Sequence, residues 1–335
     1  MKVASALRCR WIYAKPWNWF SVFREQRRCE KQADEFLPDL WLTYHTYYKA
    51  PDILGPYVSR RKKIPYVIFQ GIYSTKRRRD IRTGPGFLLN RLALARAEHI
   101  FSNRKEDELN LRRIIPSDRV SYVPPGIFPK DFPFDPNARI KLRRLWNVGD
   151  APVVVSAAMF RPDVKTEGLS WVIRACGKLF AEGTNLFLAV AGDGKQKPFL
   201  KNLAEKYLPG RVIFTGKIQR DRMYRFYSAG DLFVFPGIRE SLGMVFLEAQ
   251  SCGLPVVAFD NGGIAEVVRH GETGLLTPLL AEKPFIHAIH TFLSHPRLLK
   301  TMGRRAVEYV RENHNLDKNY LKVDQILRKI GQFKT

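Results

Sequence analysis

The sequence has few cysteines, no long apolar run and a shortage of acidic residues. Its four cysteines are Cys9, Cys29, Cys176 and Cys252, and their wide spacing indicates neither a disulfide framework nor a Cys-x-x-Cys zinc ribbon. No stretch approaches the roughly 20 apolar residues of a transmembrane helix. Arg8 interrupts the apolar start too early for a secretory leader. These absences predict a protein of a reducing cytoplasm that is soluble or lies on a membrane surface.

The charge of the chain is strongly basic and unevenly distributed. The 335 residues contain 56 Lys+Arg and 32 Asp+Glu, a net charge of +24. Residues 1–145 hold 30 of these bases and 14 of the acids, a net of +16, and the remaining residues carry +8. A basic front half indicates an anionic partner such as nucleic acid, an anionic membrane or a phosphorylated substrate. The hydrophobic content of 45% is enough for two cores.

Short β-rich apolar runs alternate with longer segments of helical periodicity. We predict nine strands, at 39–44, 65–69, 98–102, 120–123, 152–158, 186–191, 211–214, 231–235 and 255–259. Strands that are apolar throughout and alternate with helices indicate an α/β fold with parallel sheets covered on both faces. The Pro-rich segment 123–136 reads as a linker, and the tail from about 297 to 330 as one or two amphipathic helices. The predicted domains are 1–145 and 146–312, followed by a C-terminal helix in 313–335.

Two glutamates stand eight positions apart in RESLGMVFLEAQSCGLPVVAF, residues 239–259. Ser241 is predicted to cap a helix, so that Glu240 precedes the helix and Glu248 lies inside it among apolar residues. A buried carboxylate is costly unless it is hydrogen-bonded, and vicinal hydroxyls of a ligand would satisfy it. The helix N-terminus, where Gly243 permits close approach, can seat a phosphate. The alternative is a surface glutamate followed by a buried one that pairs with an arginine.

This segment resembles the E-x7-E signature of glycosyltransferase family 4, whose members are retaining enzymes of the GT-B fold. The likeness extends over AMFRPDVKTEG (158–168), AGDGKQKPFL (191–200) and residues 214–278. It implies two Rossmann-like, doubly wound parallel-sheet domains with a cleft between them. The front domain would bind the acceptor and the rear domain the nucleotide sugar. The implied reaction moves a hexose from a nucleotide diphosphate sugar to a glycan or lipid-linked acceptor in cell-envelope or polysaccharide assembly.

The resemblance also implies roles for individual residues. Glu248 is expected to bind the ribose of the nucleotide, and Glu240 to bind hydroxyls of the transferred sugar. Arg161 and Lys165 resemble the cationic pair that grips the diphosphate. The other expected nucleotide-sugar contacts are Gly192, Gly216, Lys217, Ile218, Ser241, Leu242 and Gly243. His45 and Gln70 are expected on the acceptor or sugar side, and many relatives carry a histidine near the position of Gln70.

The chain has no two aspartates separated by a single residue. The metal-binding Asp-x-Asp of the other large glycosyltransferase class is therefore absent. Arg161, Lys165 and a helix dipole can stabilise the departing diphosphate instead. We expect neither a metal ion nor a cofactor. The family mechanism also needs no protein nucleophile, since the acceptor attacks from the front face and the leaving phosphate takes its proton.

The front half departs from the family pattern. Its first glycine is Gly55, so the expected opening strand and Gly-rich loop are missing, and a truncated or catalytically inactive relative is the alternative. The basic runs 59–65 and 75–82 are either solvated surface or a patch that binds anionic lipid at the inner face of the cytoplasmic membrane. Neighbours that could meet lipid are Tyr44, Tyr47, Tyr48, Phe69, Ile72 and Tyr73. Charge alone would also suit nucleic acid, but no motif supports this, and we expect none to bind.

Overall fold

The computed structural model describes residues 4–5, 10–15 and 17–332, and these form two compact units. The first unit comprises the chain up to Pro124 together with the segment from Tyr320 onward, and the second comprises Pro125–Asn319.

The strands are β1 (Trp41–Thr46), β2 (Tyr66–Gly71), β3 (His99–Ser102), β4 (Val120–Tyr122), β5 (Val153–Ala157), β6 (Phe187–Ala191), β7 (Val212–Gly216), β8 (Leu232–Val234), β9 (Val256–Phe259) and β10 (Gly274–Thr277). The helices are α1 (Asn18–Phe36), α2 (Leu54–Lys62), α3 (Gly84–Arg96), α4 (Lys105–Leu111), α5 (Pro136–Leu145), α6 (Val164–Ala181), α7 (Lys197–Tyr207), α8 (Met223–Ala229), α9 (Met244–Ser251), α10 (Ile264–Val267), α11 (Glu282–Ser294), α12 (Pro296–Asn313) and α13 (Leu316–Gln332).

The first unit is built on a four-stranded parallel sheet in the order β1-β2-β3-β4. Its side chains alternate between two faces, because successive residues of a strand point to opposite sides. Ile68 and Ile100 pack in one buried cluster with Leu94 of α3. Val67 packs in a separate cluster with Val323 of α13, so the last helix of the chain completes the core of this unit.

The second unit is built on a six-stranded parallel sheet in the order β10-β9-β8-β5-β6-β7. Strand β5 is buried along its whole length, as expected for a sheet with helices on both faces. The chain first adds β6 and β7 on one side of β5, and then adds β8, β9 and β10 on the other side. The strand order therefore reverses between β5 and β8.

The Pro-rich segment 123–136 packs against the second unit and is not a free linker. Ile127 and Phe132 are buried in the core of that unit. Helix α5 is fastened to it as well, because Arg139 Nη2 contacts the Asp231 carboxylate at 2.6 Å. The division between the units consequently falls inside the Pro-rich segment, earlier than the boundary predicted after α5.

The structure confirms the nine predicted strands to within about two residues at each end, and it confirms two helices in the C-terminal tail. Strand β10 was not predicted, because GLLT is short and begins with glycine. Helix α1 was also not predicted, because its apolar residues are divided between a buried face and an exposed face. Within the described residues, no helix is both long enough and apolar enough to cross a membrane.

Exposed aromatic residues include Tyr44, which belongs to the predicted lipid-facing set and is 71% exposed, and a group on α1. Phe69 and Tyr73 are buried in clusters of the first unit, so this part of the predicted lipid-facing set was wrong. Trp17, Phe20 and Phe23 are 65%, 79% and 58% exposed where α1 begins. The opposite face of α1 packs against α2.

Candidate functional site

The residues expected to bind a nucleotide sugar follow the carboxyl ends of four neighbouring strands of the second unit. They are Arg161 and Lys165 after β5, Gly192 after β6, Gly216, Lys217 and Ile218 at the end of β7, and Glu240, Ser241, Leu242 and Gly243 after β8. The strand order reverses between β5 and β8. Loops at such a reversal diverge and leave a crevice, which is where open α/β sheets bind their ligands. The sheet topology therefore gathers residues that are about 80 positions apart in the chain.

Lys165 and Glu240 form an ion pair at this reversal. Lys165 lies in the first turn of α6, where the N-cap Asp163 accepts a hydrogen bond from the Lys165 backbone N–H at 2.9 Å. Its Nζ contacts Oε2 of Glu240 and lies 5.4 Å from the centre of the Phe235 ring. The two paired side chains are only 24% and 16% exposed. The pair can offer an ammonium to a phosphate and a carboxylate to sugar hydroxyls.

Arg161 is not part of that ion pair. Its Nε contacts the Asp163 carboxylate at 3.1 Å, and its side chain is 52% exposed. The Arg161 carbonyl oxygen accepts hydrogen bonds from the Asp163 N–H at 2.7 Å and from the Thr166 hydroxyl at 2.5 Å. The guanidinium is thereby placed beside the N-terminus of α6, where the helix dipole is also positive.

Glu248 is buried inside α9, as its apolar sequence context predicted. It is 9% exposed, and its Oε2 accepts a hydrogen bond from the Tyr227 hydroxyl at 3.1 Å. Burial raises the pKa of Glu248, and the hydrogen bond from Tyr227 and the charge of Arg220 oppose that rise. The direct hydrogen-bond partner of the Glu248 carboxylate is therefore a tyrosine, and not an arginine as in the alternative interpretation. Tyr227 was not predicted, because nothing in its sequence spacing relates it to Glu248.

Helix α9 begins later than the sequence indicated. It starts at Met244 with Gly243 as its N-cap, so the prediction that Ser241 caps it was wrong. Gly243 has a φ of 66°, and a Cβ there would lie 2.8 Å from the Phe246 ring. A residue with a side chain would be strained in this left-handed turn, and glycine is therefore required. The Ser-Leu-Gly step forms the loop between β8 and α9 rather than the first helical turn.

A glycine that follows β9 supports the Glu240 loop, and its role was not predicted. The Gly263 N–H donates a hydrogen bond to the Glu240 carbonyl oxygen at 3.3 Å. A Cβ at Gly263 would lie 1.9 Å from the Ser241 carbonyl oxygen, which is too close for any side chain. The sequence signal was present, because Asp-Asn-Gly-Gly directly after a buried strand is typical of a tight turn.

His45 and Gln70 lie side by side at the carboxyl ends of β1 and β2 in the first unit. Both have left-handed backbones, with φ values of 71° and 60°. Burial lowers the pKa of His45, and a hydrogen bond with Gln70 opposes this change. His45 Nδ1 is buried and has no hydrogen-bond partner among the described residues. Strained non-glycine residues of this kind cluster at binding and catalytic sites, so the pair is a candidate contact for a ligand.

The two parallel α/β units correspond to the GT-B fold. The crystal structure of HepE from Anabaena, in complex with UDP, has a TM-score of 0.75 to this chain at 20% identity. The match covers 91% of this chain and 82% of that chain. At this identity the likeness establishes the fold of the molecule, which agrees with the fold class that the sequence predicted.

Residues 143–309 match the family described as glycosyl transferases group 1, and the chain belongs to this family. A GDP-mannose-dependent alpha-(1-6)-phosphatidylinositol monomannoside mannosyltransferase of Mycolicibacterium smegmatis is 32% identical over 56% of this chain and 50% of the relative. The alpha-D-kanosaminyltransferase of Streptomyces kanamyceticus is 27% identical over 71% of this chain and 61% of the relative. The chain thus spans between half and two thirds of the length of these curated relatives.

Proposed function

We propose that the protein transfers a hexose from a nucleotide diphosphate sugar to a glycan or lipid-linked acceptor, with retention of configuration and without a metal ion. The observation that carries this proposal is the Lys165–Glu240 ion pair at the strand reversal, with Glu248 buried in the helix that follows. The names of the two relatives describe sugar transferases, one of them GDP-mannose-dependent, and HepE was solved with UDP. These names support a sugar nucleotide as the substrate.

In this proposal the diphosphate binds where α6 begins. The Lys165 ammonium and the N-terminus of α6 supply positive potential there. Arg161 can leave Asp163 for the diphosphate, because an ion pair this exposed contributes less than about 1 kcal/mol. Glu240 then accepts hydrogen bonds from hydroxyls of the sugar, and Glu248 accepts them from the ribose.

The proposed transfer breaks the bond between the anomeric carbon and the diphosphate oxygen, and the leaving diphosphate keeps the bonding electrons. The acceptor hydroxyl oxygen forms the new bond on the same face of the sugar. Its proton passes to the departing phosphate oxygen. Negative charge grows on that phosphate, and a preoriented cation such as Lys165 stabilises it more strongly than water would.

The acceptor side of the proposed reaction lies in the first unit, at His45 and Gln70. The lowered pKa keeps His45 neutral near pH 7, so its ring acts as a hydrogen-bonding group rather than as a charge. Its partnerless Nδ1 is available to a ligand hydroxyl. The Gln70 amide can donate and accept hydrogen bonds, which suits a sugar or acceptor hydroxyl.

Nucleotide binding tests the assignment of the second unit. Thermal unfolding would be measured with UDP, GDP, ADP and CDP for the unmodified chain and for Glu248→Gln. The control is Glu282→Gln, whose carboxylate pairs with Lys178 at the other end of α6, at 2.8 Å. We expect one nucleotide to raise the free energy of unfolding by about 2.7 kcal/mol at a hundredfold excess over Kd. This shift should persist in the control and disappear in Glu248→Gln.

Two outcomes would count against the proposal. If no nucleotide shifts the unfolding transition, the second unit does not form a nucleotide site. If one nucleotide shifts it but no corresponding sugar nucleotide is turned over with any glycan or lipid acceptor, the alternative of a catalytically inactive binding protein is favoured.

We also propose that the protein contacts an anionic membrane surface through the start of α1. Trp17, Phe20 and Phe23 are exposed there, and the exposed Arg24 and Arg27 lie on the same helix. Aromatic side chains bind the interfacial region of a bilayer, and neighbouring bases are attracted to anionic headgroups. The front half of the chain carries a net positive charge, which an anionic membrane surface attracts.

Vesicle flotation tests this contact. Phe20→Ser/Phe23→Ser should lose most binding to vesicles that contain anionic lipid, and salt should weaken the binding of the unmodified chain. The matched control is Leu88→Ser/Leu92→Ser, which removes two leucines of α3 that are 57% and 63% exposed. Equal loss in both variants, or equal binding to neutral vesicles, would contradict the proposal.

A further inference from the structure

A pocket of about 460 Å³ in the first unit is lined by Thr75, Lys76, Arg78, Arg79 and Arg113. Four of these five residues are cations. Thr75 and Lys76 belong to a short 3₁₀ turn that follows β2, and Arg113 reaches the pocket from just beyond α4. Like charges that converge on one concave surface raise the local positive potential and concentrate anions there. We call this site the four-cation pocket.

The four cations have no carboxylate partner within the described residues, because none of the ion pairs found there involves them. The nearby acids are already engaged. Glu108 pairs with Arg112 at 2.8 Å, which leaves its neighbour Arg113 unpaired. The Asp80 carboxylate accepts a hydrogen bond from the Arg82 backbone N–H at 2.9 Å. No ion pair among the described residues therefore neutralises the cations of the pocket, and solvent or a ligand can meet their charge.

We propose that the four-cation pocket binds a multivalent phosphate group, carried either by a soluble acceptor or by a lipid headgroup. A guanidinium matches two oxygens of a phosphate at once, and the pocket offers three guanidiniums, one ammonium and the Thr75 hydroxyl. A single carboxylate would leave most of this charge uncompensated. The inference goes beyond the proposed sugar transfer, because it concerns a phosphate on the side of the acceptor and requires no nucleotide sugar.

Titration with inorganic pyrophosphate tests the site. The titration uses the full chain carrying Lys165→Ala, so that the nucleotide site of the second unit contributes little. Arg79→Gln/Arg113→Gln in this background should weaken pyrophosphate binding by at least about tenfold, because charge-assisted hydrogen bonds are lost. The control is Arg60→Gln/Lys63→Gln, which removes two exposed charges near the end of α2. We expect the control to change the affinity less than about threefold.

Two results would overturn the proposal. Equal weakening in both double variants would show that pyrophosphate responds to the diffuse charge of the unit and not to the pocket. Absence of pyrophosphate binding to the Lys165→Ala chain would show that the pocket holds no multivalent phosphate. Neither result affects the proposed transfer, which is measured separately with nucleotides.

Vesicles identify the source of the phosphate. Phosphatidylcholine vesicles containing phosphatidic acid would be compared with vesicles of equal charge that contain phosphatidylserine. A preference for phosphatidic acid, competed by pyrophosphate and lost in Arg79→Gln/Arg113→Gln, supports the pocket with a lipid headgroup as its ligand. Pyrophosphate binding without that preference supports the pocket with a soluble phosphorylated acceptor as its ligand.

Discussion

The two units contain the same kind of parallel sheet and differ in strand order. The second unit reverses its order between β5 and β8, whereas the described strands of the first unit run β1-β2-β3-β4 in sequence. A reversal makes neighbouring loops diverge and opens a crevice, and a sequential order does not. The second unit accordingly gathers Lys165 and Glu240 from distant segments, and the first unit places His45 and Gln70 on adjacent strand ends.

The two units also differ in how their cations are compensated. In the second unit, Lys165 forms a partly buried ion pair with Glu240, whereas the pair of Arg161 with Asp163 is exposed. In the first unit, no ion pair among the described residues involves the cations of the four-cation pocket. A cation in a partly buried pair, such as Lys165, is held in one orientation before its ligand arrives, which suits catalysis. Unpaired cations favour binding of an anion, which suits recognition of an acceptor or a surface.

The largest expected effect is on catalysis in the second unit. Lys165→Ala should reduce the turnover of the nucleotide sugar by about 10²–10³-fold, because the charge on the leaving phosphate loses its preoriented partner. Lys178→Ala is the matched control, since Lys178 lies in the last turn of α6 and also pairs with a glutamate, Glu282 at 2.8 Å. Steady-state turnover of both variants decides the point. Equal rates for the two variants would show that Lys165 takes no part in the proposed transfer.

A second prediction concerns the support of the Glu240 loop. Gly263→Ala should lower the free energy of unfolding by about 1–3 kcal/mol, because its Cβ would meet the Ser241 carbonyl oxygen at 1.9 Å. The control is Gly331 of α13, where the nearest atom outside its chain neighbours to an added Cβ is Asp39 Cβ at 3.6 Å. Gly331→Ala should leave stability unchanged or slightly raised. Chemical denaturation measures the free energy of unfolding of both variants. If Gly263→Ala is as stable as the unmodified chain, the Glu240 loop can move away from the added Cβ at little cost.

The pH dependence of the second unit supplies a third prediction. Burial raises the pKa of Glu248. In the proposed nucleotide site, the ionised carboxylate is the form that would accept hydrogen bonds from the ribose. Nucleotide affinity should therefore fall as the pH is lowered through that pKa. The stability of the empty protein should follow the opposite trend. The folded state binds the proton of the Glu248 carboxyl group more tightly than the unfolded state does. Protonation therefore adds to the free energy of unfolding at low pH, and this contribution is lost as the pH rises through the raised pKa.

Tyr227→Phe sharpens this test. The hydrogen bond from Tyr227 lowers the pKa of Glu248, so its removal should move both transitions to higher pH. Calorimetric titration with the bound nucleotide and thermal unfolding, each over a pH series, measure the two midpoints. The trend in the stability of the empty protein should vanish in Glu248→Gln, which cannot titrate at this position. An unchanged midpoint in Tyr227→Phe would mean that another group governs the pH dependence.

The smallest expected effect belongs to the first unit. Gln70→Gly should change the free energy of unfolding by less than about 1 kcal/mol, because relief of the strain at a φ of 60° is offset by the lost hydrogen bond to His45 and by the greater conformational entropy that glycine loses on folding. If the amide contacts the sugar or the acceptor, the same variant should also raise KM. Denaturation and steady-state kinetics separate the two effects. Unchanged kinetics would mean that Gln70 contacts neither substrate.

The sequence by itself determined the layout of most elements and indicated the candidate site residues of the second unit. Runs such as 152–158 and 255–259 are apolar at every position, and this pattern identifies buried parallel strands without knowledge of the fold. Glu248 was recognisable as a buried carboxylate because its helical neighbours are apolar. Strand β10 was missed because GLLT is short and begins with glycine, and helix α1 was missed because apolar residues lie on its exposed face as well as on its buried face.

Only the tertiary structure decided which of these residues meet. The reversal of strand order brings Lys165 to Glu240, and no local pattern encodes a contact over that distance. The same holds for the Tyr227 hydroxyl on Glu248 and for Arg113, which joins the four-cation pocket from another element. Local sequence determines whether a segment forms a strand or a helix, because backbone and burial preferences act over a few residues. The partners of a side chain depend on how the strands are ordered in the sheet, and that order is set by packing across the whole unit.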